Sequence, residues 1–236
     1  MEIHYEWGVT GALKASQRGD ICIVIDIFRA SSTIVTALAV GFLTIKPTQT
    51  WMAKPPNYLT AGESNGEKIS ACDFGNSPCE IIASQKRADK LLIKTTNGSR
   101  CIENINNPAA VVLIGCMLNA TSVAEIALTL SKKNNKNISF VLAGCRGEYC
   151  EDDDIAGKFI AEIIQRKRQA QPICKQLYSD TRDLLLKSAA AQRLITKGHA
   201  DDVSFCTQWD CYAIAPVYHI LSKEITALLA PEKVNI

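Results

Sequence analysis

No run of apolar residues in the 236-residue chain is long enough to cross a bilayer. The greasiest uncharged stretch, Ala30 to Ile45, is 16 residues and includes five Ser or Thr, short of the roughly 18–20 apolar residues a span requires. Charge of one sign is not in excess either. The 26 Lys and Arg against 24 Asp and Glu leave a net +2 with no long basic run, which removes the electrostatic footprint of a nucleic-acid binder. The start, Met1-Glu2-Ile3-His4-Tyr5-Glu6, has acids where a secretory signal carries a basic region and an apolar run, so a cytoplasmic protein is expected. The ten cysteines include no C-x-x-C pair, and their closest spacings are Cys145 to Cys150 and Cys206 to Cys211; a zinc site of the usual pattern is disfavoured. Cys22 and Cys116 lie in apolar runs and are expected to be reduced and buried. There is no G-x-x-x-x-G-K-[ST] and no G-x-G-x-x-G, so P-loop NTPase and dinucleotide dehydrogenase readings lose their support. Asp26-Ile27-Phe28 lacks the second Asp of the D-x-D signature of haloacid-dehalogenase-type phosphatases. The three histidines, His4, His199 and His219, stand beside no motif.

What is present is an ordinary globular composition, 47% hydrophobic and 21% charged, in which short apolar runs alternate with helical patterns. That alternation argues for an α/β chain with a largely parallel sheet. The length suits one domain over residues 1–236, or two closely packed α/β lobes. Strands are expected at Ile21 to Ile25, Phe42 to Ile45, Lys90 to Thr95, Val111 to Ile114, Ile138 to Ala143 and Ala213 to His219. Helices are expected at Ser32 to Val40, Ala120 to Leu130 and Asp154 to Gln169. Pro47 to Phe74, with Pro55-Pro56, Gly62 and Gly66, reads as a long loop with one short helix at most.

Ligands of open α/β sheets collect beyond the carboxyl ends of the strands, and four such ends are polar here. They read Asp26-Ile27-Phe28-Arg29, Thr96-Asn97-Gly98-Ser99-Arg100, Gly115-Cys116-Met117-Leu118-Asn119, and Gly144 through Glu148 to Glu151-Asp152-Asp153-Asp154; convergence of all four on one cleft is expected. Asn97-Gly98-Ser99 and Asn119-Ala120-Thr121 fit anion cradles at helix N-termini, and equally fit plain N-caps. Arg29 and Arg100 suit bidentate contacts to an oxyanion. Acids at Glu151 to Asp154 fit a ligand site or a helix dipole. Asp26 closes an apolar strand, where a carboxylate is costly unless it meets a cation or a partner such as Arg29.

Taken together, the segments resemble the 2-phosphosulfolactate phosphatase family. The resemblance is carried by Ile25-Asp26-Ile27-Phe28-Arg29-Ala30, Asp73-Phe74-Gly75-Asn76-Ser77-Pro78, Thr95-Thr96-Asn97-Gly98-Ser99-Arg100, Leu118-Asn119-Ala120, Glu151-Asp152, and Asp202-Val203-Ser204-Phe205-Cys206 with Asp210. It implies a three-layer α/β/α fold with a largely parallel or mixed sheet, and a Mg²⁺-dependent phosphatase that hydrolyses 2-phosphosulfolactate, or a related 2-hydroxy acid phosphate, to sulfolactate and phosphate. On that reading Asp26 and Asp152 ligate the metal, with Glu148 or Glu151 as a further ligand or as the base for water. Asn97, Gly98, Ser99 and Arg100 hold phosphate, with Asn119 beside them. Arg29 meets the substrate's second anionic end, and Asp73, Asn76 and Ser77 close over the site. Asp153-Asp154 stand where the family commonly has apolar residues, a change expected to affect only the helix's exposed start. The expected partner is a small anionic phosphate ester, with no nucleic acid or membrane, and a homo-oligomer is compatible. The rival reading is a non-catalytic anion-binding regulatory protein of the same fold.

Overall fold

Five consecutive apolar residues, Ile21-Cys22-Ile23-Val24-Ile25, form strand β2 (Ile21–Ile25), and all five are buried. A strand apolar on both faces needs cover on both sides. Alternate residues supply it: Cys22 and Val24 pack into one hydrophobic cluster, while Ile21, Ile23 and Ile25 pack into another on the opposite face. A computed structural model describes residues 1–50, 54–86, 88–145 and 147–229. It gives an α/β fold in which the helices cover both faces of a mixed sheet of ten strands among the described residues.

In chain order the elements are β1 (Ile3–Trp7), α1 (Gly8–Arg18), β2, α2 (Ala30–Ala39), β3 (Thr44–Thr48), β4 (Tyr58–Ser64), β5 (Glu67–Lys68), α3 (Pro78–Ala83), β6 (Lys90–Lys94), α4 (Gly98–Asn104), β7 (Val111–Gly115), α5 (Ala120–Asn134), β8 (Ile138–Leu142), α6 (Glu151–Arg168), α7 (Lys175–Lys187), α8 (Ala189–Thr196), α9 (Ala200–Cys206), β9 (Ile214–His219) and β10 (Glu224–Leu229). The sheet runs β1-β8-β2-β7-β9-β10-β3-β6-β4-β5. Two parallel blocks, β1-β8-β2-β7 and β3-β6-β4, are joined by the antiparallel hairpin β9–β10. The joints are thin: β7 meets β9 at two register pairs and β10 meets β3 at one, Ile225 opposite Ile45. Helices α1, α2, α3 and α4 supply side chains to one apolar cluster, and α5, α6 and α7 to the other.

Pro47 to Phe74 is not a loop. It holds β4, paired in parallel with β6 from Tyr58 opposite Lys90 to Gly62 opposite Lys94, and the short β5. The strand escapes sequence reading because its buried residues are Thr60, Ala61, Gly62 and Glu63, with no apolar alternation to mark it. Residues 51–53 of that stretch lie outside the described residues. The strand expected at Phe42 to Ile45 is shifted to Thr44–Thr48 and runs through Pro47. Helix α6 starts at Glu151 rather than Asp154, and β1, α1, α7, α8, α9 and β10 had no sequence counterpart. All ten cysteines are free thiols; Cys22 and Cys116 are buried, and burial pushes both thiols up to about 12. Among the described residues no helix is long and apolar enough to cross a membrane.

Candidate active site

Asp26 follows β2 directly and is 8% exposed. Two backbone N–H groups hold its carboxylate: Ala30 donates to Oδ1 at 3.2 Å and Gly98 to Oδ2 at 2.8 Å. Those bonds favour the charged form, but burial outweighs them. With added repulsion from Glu63 and Asp152, it pushes Asp26 up to about 7. The amides at the start of α4 are therefore already engaged. Gly98 N–H serves Asp26, and Ser99 N–H donates to Thr95 Oγ1 at 2.9 Å. Gly98 is dictated by this approach, since a Cβ there would lie 2.8 Å from Asp26 Oδ2 and 2.9 Å from the Ala30 Cβ. Gly98→Ala is expected to cost about 1–3 kcal/mol of overpacking, measured by urea denaturation.

Arg29 does not pair with Asp26. It is 3% exposed and donates to Asp202 Oδ2 at 2.7 Å and to the Gly66 carbonyl at 2.8 Å; the Phe28–Arg29 peptide is cis. Asp202, on α9, also accepts from Ser77 Oγ at 2.7 Å and from Cys79 N–H at 3.2 Å. One buried carboxylate thus joins the β2–α2 connection, the start of α3 and, through Arg29, the β4–β5 turn. Glu63 clamps that turn from its other side, accepting from Gly66 N–H at 2.7 Å and from the N–H and hydroxyl of Thr96 at 2.7 and 2.6 Å.

The run at the head of α6 is not an exposed helix start. Asp152, Asp153 and Asp154 are buried and Glu151 is exposed. Asp153 accepts from Ile27 N–H at 2.9 Å and Gly144 N–H at 2.8 Å, tying the ends of β2 and β8 together. Asp152 Oδ1 is buried with no hydrogen-bond partner among the described residues. Burial raises both carboxyls, and mutual repulsion with Asp152 and Asp26 adds to the rise at Asp153.

Asp26, Arg29, Glu63 and Thr96 border a cleft of about 510 Å³, a size suited to a small ligand; Asp152 and Asp153 are not on its wall. Of the sequence candidates, Asp26, Arg29, Asn76 and Asn97 line it, and Asn76 Oδ1 is buried with no partner among the described residues. The convergence of strand ends is partial. Those of β2, β6 and β8 reach the cleft, and the end of β4 joins them with Glu63, Asn65 and Gly66. The end of β7 does not: Asn119 is fully buried, its amide donating to the Ile114 and Ile214 carbonyls and its Oδ1 accepting from Cys116 N–H. Arg100 and Glu148 are exposed, and Arg100 is not on the cleft wall. Ser77 caps α3, accepting from Glu80 N–H. Asp73 sits apart with Lys54, Lys86 and Thr60; burial pushes its carboxyl up, but these partners outweigh it and hold the group below the usual range. The sequence reading passed over Glu63, Arg193 and Lys197. Arg193 comes from α8 and Lys197 from its C-cap, and they wall the cleft with Ala190 and Leu194. Another concavity, of about 330 Å³ between Val40, Phe42, Ile81 and Asp89, includes none of the candidates.

Among the described residues no three His, Cys, Asp or Glu side chains converge as a ready metal cage, so Asp26, Asp152 and Glu148 do not form one. Mg²⁺ needs no such cage, since it commonly takes one or two carboxylates and keeps its waters. Asp26 and Asp152, buried and each sensitive to nearby acids, with Asp152 Oδ1 lacking a partner, fit that requirement.

The chain is similar to known proteins over most of its length. Residues 9–220 match the profile of the 2-phosphosulpholactate phosphatase family. A probable 2-phosphosulfolactate phosphatase of Pseudothermotoga lettingae is 33% identical over 208 residues, covering 84% of this chain and 89% of that one. The 2-phosphosulfolactate phosphatase of Methanothermobacter thermautotrophicus is 33% identical over 207 residues, covering 84% and 86%. A similar protein of Clostridium novyi is 31% identical over 212 residues, covering 84% and 88%. A match that spans β2 through β9, and so every element that walls the cleft, places the chain in the 2-phosphosulfolactate phosphatase family.

Proposed function

We propose that the protein hydrolyses 2-phosphosulfolactate to sulfolactate and inorganic phosphate, with Mg²⁺ held by Asp26 and Asp152. The observation that carries this reading is the pairing, in one cleft, of a buried acid at the end of β2 with three cations, Arg29, Arg193 and Lys197. Acids alone would repel a phosphate ester, and cations alone would bind it without hydrolysing it.

Mg²⁺ there supplies charge neutralisation of the phosphoryl oxygens. The chain's own residues do the rest. Asp153 spends both oxygens on Ile27 and Gly144 N–H, so it fixes where Asp152 and Asp26 stand. Glu63 fixes Thr96, next to Asn97, and the Asn65–Gly66 turn on the wall. Attack on phosphorus releases a proton from water, and the ester oxygen takes one up as the P–O bond breaks. Glu151 and Glu148 are both exposed.

Phosphorus-31 NMR of 2-phosphosulfolactate incubated with the protein tests the reading. Inorganic phosphate should appear with Mg²⁺ and stop on addition of EDTA. An unchanged ester signal in Mg²⁺ refutes the hydrolase, and an equal rate in EDTA refutes the metal.

A further inference from the structure

Among the described residues three cations border the cleft, and two of them are already committed. Arg29 is locked between Asp202 and the Gly66 carbonyl. Lys197 donates to the Asn65 carbonyl at 2.6 Å and lies 3.6 Å from Glu67. Arg193 differs: among the described residues no hydrogen bond or ion pair engages its guanidinium, although its charge is felt by Asp152.

The helix beneath it is firmly set. Ser188 caps α8 by accepting from Ala191 N–H, and Ala191 and Leu194 pack against Val203 and Phe28. Ala190, Arg193, Leu194 and Lys197 fall at i, i+3, i+4 and i+7, one face of a helix, and all four line the cleft. A cation on a fixed face, opposite a buried acid cluster and without a partner of its own, awaits an anion.

We infer that Arg193 is a specificity-determining residue that binds the second acidic group of the substrate, the sulfonate or carboxylate remote from the phosphoryl group. The inference rests on the hydrolase reading above and adds what selects among phosphate esters. The phosphoryl group lies toward Asp26, and the planar guanidinium takes the other oxyanion through paired N–H donors. A substrate lacking that group forgoes the contact.

Arg193→Ala tests this by comparing kcat/KM for 2-phosphosulfolactate with kcat/KM for p-nitrophenyl phosphate, which has no second acid. The ratio should fall about 10–100-fold, the range of one charge-assisted contact, chiefly through KM, with Arg193→Lys in between. 2-Phospholactate, which lacks the sulfonate, identifies the group: an equal loss with it points to the carboxylate, a smaller loss to the sulfonate, and either supports the inference. A ratio within about threefold of wild type overturns it. Calorimetric binding of 3-sulfolactate keeps the two readings apart. A wild-type protein that hydrolyses no ester but binds sulfolactate through Arg193 refutes the hydrolase alone. Equal binding to wild type and Arg193→Ala, or no binding to either, refutes the role of Arg193.

Discussion

Asp26→Asn is expected to lower turnover by about 10²–10⁴-fold while making the metal-free protein more stable at pH 8. The opposite signs follow from where Asp26 sits. Burial holds its folded carboxyl up to about 7, against about 4 in an unfolded chain. Between those values the folded state keeps a proton that the unfolded state has lost. Stability of the metal-free wild type therefore falls as pH rises from about 4 to about 7, by up to about 4 kcal/mol, and is level above. Asn carries no charge at any of these values and removes the fall. It keeps only one acceptor for the N–H groups of Ala30 and Gly98, a loss of about 1 kcal/mol. The variant should be slightly less stable than wild type at pH 4 and more stable at pH 8. Urea denaturation in EDTA at both values measures the crossing, and Mg²⁺ at pH 8 should raise wild type but not the variant. Parallel pH profiles, or normal Mg²⁺-dependent turnover in the variant, would remove Asp26 from the site.

Asp202→Ala is expected to cost about 3–5 kcal/mol and to abolish the alignment of Arg29. Both members of this ion pair are 3% exposed and 2.7 Å apart. Truncating the acid strands a buried guanidinium and also leaves Ser77 Oγ and Cys79 N–H without their acceptor. Asp202→Asn, which keeps an acceptor oxygen, should fall between Ala and wild type. Denaturant midpoints for the three proteins decide the matter. A change below about 1 kcal/mol in Asp202→Ala would mean that the pair does not hold the β2–α2 connection to α3 and α9.

Asp26 was legible in the sequence because its cost is visible there: an acid ending a fully apolar strand demands compensation. Which group compensates was not legible. Arg29, three residues on, looked like the natural partner, yet it meets Asp202, 173 positions away, and nothing local to either residue announces that contact. Asp153 was read as solvated because a first-turn acid ordinarily faces water, whereas here the turn packs against the ends of β2 and β8 and both carboxylate oxygens accept backbone N–H groups. Ser77, expected to close over the site, instead closes the first turn of α3. At Asn97-Gly98-Ser99 neither alternative was complete, because the amides bind the protein's own Asp26 and Thr95. Glu63 was hidden by a strand without apolar alternation. Arg193 and Lys197 were hidden because exposed cations on a short amphipathic helix resemble any solvent face; only the fold brings that face to the cleft.

A crystal structure grown with Mg²⁺ and sulfolactate tests the central claim most directly. The account predicts the ion on Asp26 and Asp152, with the organic acid between it and the α8 face at Arg193. An ion bound elsewhere, or sulfolactate seated away from the cleft between β2 and α8, would contradict it.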